Sequence, residues 1–186
     1  MKKLRQHSAC VFLLGLLIAP VSLLRAETIE AQWQVHQVRF QYMGLSTMYT
    51  CDGIENSLLR LLKLLGARDD ARVETKCVNQ LQARRFHRVL MAFAMPVPAD
   101  KSDLSKEIFP AQYEEVRVVG SRSRLLNGGD CELLEEFERK VMPKLKVNKL
   151  GRKIRCIPNR REFNSLRYRV SALKMVETEE LEPERK

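Results

Sequence analysis

The residues of this 186-residue chain whose types could carry chemistry are its five cysteines, three histidines, a few helix-start carboxylates and two arginine pairs. Cys51 and Cys77 bracket one leucine-rich run, CDGIENSLLRLLKLLGARDDARVETKC. Cys131 and Cys156 bracket another, CELLEEFERKVMPKLKVNKLGRKIRC. Neither Cys-x-x-Cys nor Cys-x-x-Cys-His occurs, which argues against a redox dithiol, a zinc ribbon or attached haem. Beyond the N-terminal segment the histidines are His36 and His87, each inside a predicted strand, where a lone imidazole reads as a packed or surface residue. Asp52 and Asp130 each sit beside a cysteine at a predicted helix start. There a carboxylate satisfies free backbone N–H groups and suits the positive helix end; the sharper alternative is a general acid or base. Gly-x-Ser-x-Gly and His-Glu-x-x-His are both missing from the sequence. No catalytic residue, cofactor or metal is expected on these grounds.

The cysteines acquire meaning from the compartment. Met1–Arg5 (MKKLR) is a positive n-region, and Val11–Leu24 is an apolar stretch interrupted by Pro20, with Ala26 before Glu27. The run is shorter than the roughly 20 residues of a spanning helix, so residues 1–26 are read as a cleaved secretory signal and the protein as periplasmic or secreted. No second apolar run of spanning length follows. Cys10 precedes the apolar run and leaves with the signal. Four cysteines then remain in an oxidising compartment, implying two disulfides with three connectivities open.

An internal register ranks those connectivities. Ala31-Gln32-Trp33 recurs as Ala111-Gln112-Tyr113, eighty positions later. Val38 and Val118, Cys51 and Cys131, Leu61 and Val141, and Leu65 and Leu145 keep the same offset. Cys77 meets Cys156 after a one-residue deletion, and Arg84-Arg85 meets Arg160-Arg161. We read an internal duplication, with residues 27–98 and 111–175 as the two units and 99–110 as a linker. Residues 176–186 form a charged tail with too little apolar surface to pack.

Each unit reads as strand, helix, strand, strand. Gln32–Tyr42 is a strand whose alternation slips once, as a bulge would cause. Asp52 with Glu55 resembles a capping box. Ile54, Leu58, Leu61, Leu62 and Leu65 follow helical spacing up to Gly66. Arg72–Cys77 and Arg88–Met95 complete the unit, with Pro96 and Pro98 as stops. In the second unit Tyr113–Val119 is a strand, Asp130 a cap, and Leu134, Phe137, Val141 and Leu145 a helical stripe that Pro143 kinks or ends. Ile154 and Cys156 share a strand face, and Leu166–Met175 closes the chain's ordered part. A helix of about thirteen residues advances roughly 20 Å, and a strand of six or seven residues returns the same distance. Cys77 therefore arrives beside Cys51, and Cys156 beside Cys131. Two units of about 60 residues are marginal alone and are expected to pack together as an α+β fold. It would have antiparallel sheet and two helices on one face; separate beads are the alternative.

YTCDG…LGARDD in the first half, with GDCEL and Cys156-Ile157-Pro158 in the second, resembles an uncharacterised family of small secreted proteobacterial proteins. The resemblance covers most of the chain beyond the signal. It implies export and the layout of two cysteine pairs, and brings no activity.

Charge is the remaining pointer to a partner. The net formal charge of +10 falls to +6 when the four basic residues of the signal leave. From Arg139 to Arg169 there are twelve Lys and Arg against one acid, Glu162. Such a face keeps an exported protein soluble, or docks an anion such as an acidic envelope component or an acidic protein, with Arg84, Arg85, Arg160 and Arg161 at hairpin tips as contacts. Export, and the lack of aromatics within glycine-rich sequence, disfavour nucleic acid. The reading is an exported, non-catalytic binding or accessory protein of the cell envelope. The alternatives are a small enzyme with carboxylates in a cleft between units, and a structural subunit docking through a strand edge.

Overall fold

The apolar residues of the first strand change sides along its length. Ile29, Ala31 and Trp33 have one parity; Val38, Phe40 and Tyr42 have the other. The computed structural model describes residues 27–45, 47–77, 82–100, 107–119, 131–153 and 167–176. Strand β1 (Thr28–Met43) pairs with β3 (Phe86–Pro98) in an unbroken antiparallel register from Ala31 opposite Pro98 to Met43 opposite Phe86. The bulge expected in this strand is not there. The slip instead marks a strand that packs on both faces. Val38, Phe40 and Tyr42 join the main core, while Ala31 meets Phe109, Ala111 and Leu173 in a small second cluster with Ile29 and Trp33 against it.

The fold is α+β: a six-stranded sheet with two helices. The remaining elements are α1 (Cys51–Leu64), β2 (Arg72–Thr75), β4 (Ile108–Val119), α2 (Cys131–Lys140), β5 (Asn148–Lys153) and β6 (Arg167–Met175). The sheet order is β2-β3-β1-β4-β6-β5, and every neighbouring pair is antiparallel. β1 and β4 meet over Thr28–Gln32 and Ile108–Gln112, which joins a β2-β3-β1 half to a β4-β6-β5 half. β4 thus begins at Ile108, inside the segment read as linker. Side chains of both helices and of strands from both halves share the main core, so the halves are not separate beads.

Pro96 and Pro98 do not stop β3, and the hydrogen-bond alternation explains why. Gly44 N donates to Arg85 O at 2.8 Å and Ala99 N to Glu30 O at 2.9 Å, so even-numbered residues of β1 exchange bonds with β3. Pro96 and Pro98 face the odd-numbered Trp33 and Ala31. Their nitrogens therefore point to the outer edge, which β2 covers only from Val89 to Ala92. A proline there removes no ladder bond.

The start of α1 also departs from the sequence expectation. Thr50 is the N-cap, its hydroxyl accepting from Gly53 N at 3.1 Å, and Asp52 is an exposed first-turn residue. Glu55 does not reach back to form a capping box. Its Oε1 accepts from Thr75 N at 2.7 Å and from Thr75 Oγ1 at 2.5 Å, fastening β2 to the helix. The helix end matches its sequence: Gly66 has φ of 94°, and Ala67 N donates to Leu62 O at 3.0 Å. That left-handed position and bond are the glycine C-cap arrangement. Ile54, Leu58, Leu61, Leu62 and Leu65 are all buried, as are Leu134, Phe137, Val141 and Leu145. α2 gives way at Lys140 to a short 3₁₀ turn, Met142–Lys144, because Pro143 has no N–H to continue the ladder.

Candidate anion-binding groove

The described cysteines are structural. Cys51 and Cys77 form a disulfide with Cα atoms 6.5 Å apart, which clips the start of α1 to the segment after β2. Cys131 is also disulfide-bonded; Cys156, its expected partner, lies outside the described residues. No described cysteine retains a free thiol. A ring nitrogen of His87 lies within 4.8 Å of the Cys51 and Cys77 sulfurs. With both sulfurs bonded to each other the trio offers one imidazole and no thiolate. His87 Nε2 is within 3.1 Å of both Tyr49 O and Arg84 O, so it carries the proton and ties two chain segments together.

His36 is equally ill-suited to catalysis. It lies across from Phe93 on β3, its ring stacked on the phenyl at 5.4 Å, with a buried Nε2 that has no partner among the described residues. Burial, helped by the Lys146 charge, holds its pKa below the usual 6.5. The sign is direct: the unfolded chain takes up a proton that the folded chain resists. Stability is complete above the unfolded value and declines as pH falls from there toward the folded value. Urea titrations between pH 7 and 5 should show the loss, and His36→Gln should flatten it. A profile unchanged by the substitution would assign the dependence elsewhere. Tyr168 is likewise locked away: burial, then the Glu138 charge, pushes its hydroxyl up to about 12. His36 and His87 stand six residues out of step on paired strands, roughly 20 Å along the sheet, so no histidine pair forms.

The arginine pairs fare differently. Arg160-Arg161, like Asp130 and the tail beyond residue 176, lies outside the described residues. Arg84-Arg85 is not a free hairpin tip. Arg84 is bridge-paired with Tyr49, through Arg84 N to Tyr49 O at 2.8 Å and Tyr49 N to Arg84 O at 3.0 Å. This docks the pair beside the N-terminus of α1.

A concave feature lies further along strands β1 and β3. A groove of about 920 Å³ is lined by β1, β2, β3 and the end of α2 with its 3₁₀ turn. The exposed Leu90 supplies its apolar floor, between Phe40 and Val89, whose side chains turn into the core. Five cations surround it, Arg39, Lys76, Arg88, Lys140 and Lys144, against one carboxylate, Glu74. β1 and β3 place two of them by register: Arg39 stands opposite Leu90 and Arg88 opposite Gln41, on the sheet face away from the helices. Lys140 arrives from α2, held by Glu136 at 2.6 Å and by Gln41 O at 2.6 Å. Among the described residues Arg39, Lys76 and Lys144 have no carboxylate partner, so their charges face the groove uncompensated. Clustered like charge over a low-dielectric floor raises the local potential and the concentration of anions.

Sequence reasoning flagged the basic stretch that contains Lys140 and Lys144 but missed Arg39, Lys76 and Arg88. The parity of β1 and β3 was the usable signal: Arg39 and Arg88 alternate with the buried Phe40 and Val89. It also missed Glu138, a buried carboxylate on α2 that binds Arg152 at 2.7 Å and Lys149 at 3.2 Å on β5. That cluster is a brace between helix and sheet, and it spends two of the second half's cations internally.

No protein-family model, curated protein or solved structure matches this chain.

Proposed function

We propose that the protein is an exported, non-catalytic binding or accessory protein that takes an anionic partner in this groove. The observation that carries the reading is five cations around one concavity with a single carboxylate among them. The Cys51–Cys77 disulfide is compatible with a periplasmic or extracellular setting, and no helix among the described residues is long and apolar enough to cross a membrane. The lack of a free described thiol, the isolated histidines and the exposed Asp52 support binding over catalysis. Docking through the free edge of β1 is the weaker reading, because Lys140 already occupies Gln41 O there, and lysine on an edge blocks strand addition. The order of elements in the two halves and the eighty-residue register of their sequences support descent from one duplicated β-α-β-β unit. The family resemblance supports the same export reading.

The test is a titration of the purified protein with inorganic polyphosphate at low and physiological salt. Binding should weaken as salt rises, since the Debye length shortens to about 8 Å at 0.15 M. Arg39→Ser with Lys144→Ser should weaken it by about tenfold or more, the scale of one or two charge-assisted contacts, with little change in melting temperature. Unchanged affinity in the double variant would remove the groove from the reading.

A further inference from the structure

One end of the β1–β3 ribbon exposes apolar side chains that no core explains. Met43 and Phe86 face each other at the last register position, 64% and 41% exposed. Leu45 and Met48 follow in the segment leading to α1, 55% and 56% exposed. Single exposed hydrophobes are normal on protein surfaces, but four large ones gathered at one end mark a contact site.

The backbone holds that end in place. Gly44 N bonds Arg85 O at 2.8 Å, Tyr49 is bridged to Arg84, and Leu45 N donates to Glu132 Oε2 at 2.8 Å. The apolar side chains are therefore presented by a tethered segment. Arginines are interleaved with them: Arg84 and Arg85 precede Phe86, and the Arg88 guanidinium lies 5.9 Å over the Phe86 ring. Residues 39–49 and 82–93 contain no Asp or Glu. Apart from the Glu132 carboxylate bound to Leu45 N, the tip sets apolar side chains level with guanidinium groups, which matches the boundary between acyl chains and phosphate headgroups. Guanidinium binds phosphate with two parallel hydrogen bonds, and flexible Met and Leu tolerate a fluid apolar surroundings. A soluble acidic partner would satisfy the arginines and leave the four apolar side chains in water.

Resting on the anion-binding reading above, we infer that this end docks on an anionic lipid surface. Met43, Leu45, Met48 and Phe86 enter the interface, and Arg84, Arg85 and Arg88 take headgroup phosphates. Arg88 also lines the groove, so headgroup binding there and insertion at the tip engage one surface.

Co-sedimentation with vesicles of phosphatidylglycerol and phosphatidylcholine, beside vesicles of phosphatidylcholine alone and a polyphosphate titration, tests this. The protein should bind the anionic vesicles at least tenfold more tightly than the neutral ones. Leu45→Ser with Met48→Ser lies outside both strands. It should lower vesicle affinity at least tenfold while leaving polyphosphate affinity unchanged. Arg85→Ser with Arg88→Ser should lower both. Vesicle binding unaffected by Leu45→Ser with Met48→Ser would overturn the insertion. Polyphosphate binding without vesicle binding would overturn the lipid surface and keep the anion reading. Failure of both would overturn both.

Discussion

Replacing Cys51 and Cys77 together by alanine is expected to lower the unfolding free energy by about 3.5 kcal/mol, the chain-entropy cost of releasing a loop of this length. The two residues are 26 positions apart, and Cys51 is fully buried at the first position of α1. The bond closes a loop that holds α1 and β2, which the Glu55–Thr75 contact also fastens. Without it the unfolded chain regains the freedom of that loop, while the folded state loses little contact. Urea denaturation under non-reducing conditions gives the number, and peptide mapping of the oxidised protein should recover Cys51 linked to Cys77. A loss under about 1 kcal/mol would mean that the unfolded chain is already compact in this region, since residual structure removes the entropy the bond would otherwise suppress.

Leu61→Ala should cost about 2 to 5 kcal/mol, the range for buried leucine truncation. Leu61 is 2% exposed and sits in the core that both helices share. The cavity it leaves is walled by sheet and helix, so its collapse would require a helix to shift against a sheet already fixed by the disulfide. Glu135→Ala is the control. Its carboxylate is exposed and meets Arg152 at 3.8 Å with both partners about half accessible, so the change should stay within about 0.5 kcal/mol. Equal effects at the two positions would place the helical stripe on the wrong face.

What could be read in advance followed from local chemistry. The leucine spacing of α1, the stop at Gly66 and the return of Cys77 to Cys51 depend on neighbours in sequence, and the structure shows them. The misreadings share another cause. The alternation slip in β1 looked like a bulge because a single strand was assumed to serve a single core. Pro96 and Pro98 looked like stops because the direction of their missing N–H groups depends on which edge β2 covers. Asp52 looked like the cap because only two residues separate it from the true position, and Thr50 offers the same chemistry. The groove was hidden for a topological reason. Its cations come from β1, the segment after β2, β3, α2 and the 3₁₀ turn, and register rather than spacing brings them together.

The join between the halves carries a further consequence. Ile29 and Met175 flank Ala111 from opposite sides, as its partners on β1 and β6. At about 4.8 Å per strand spacing, the start of β1 and the end of β6 are roughly 10 Å apart in the middle of the sheet. The fold is thus nearly cyclic. A few added residues would link Met175 to Thr28, and a chain so closed and reopened between Asp100 and Glu107 would run β4-α2-β5-β6-β1-α1-β2-β3. Every strand pairing would survive that circular permutation, with the covalent link between the halves moved from one side of their shared seam to the other.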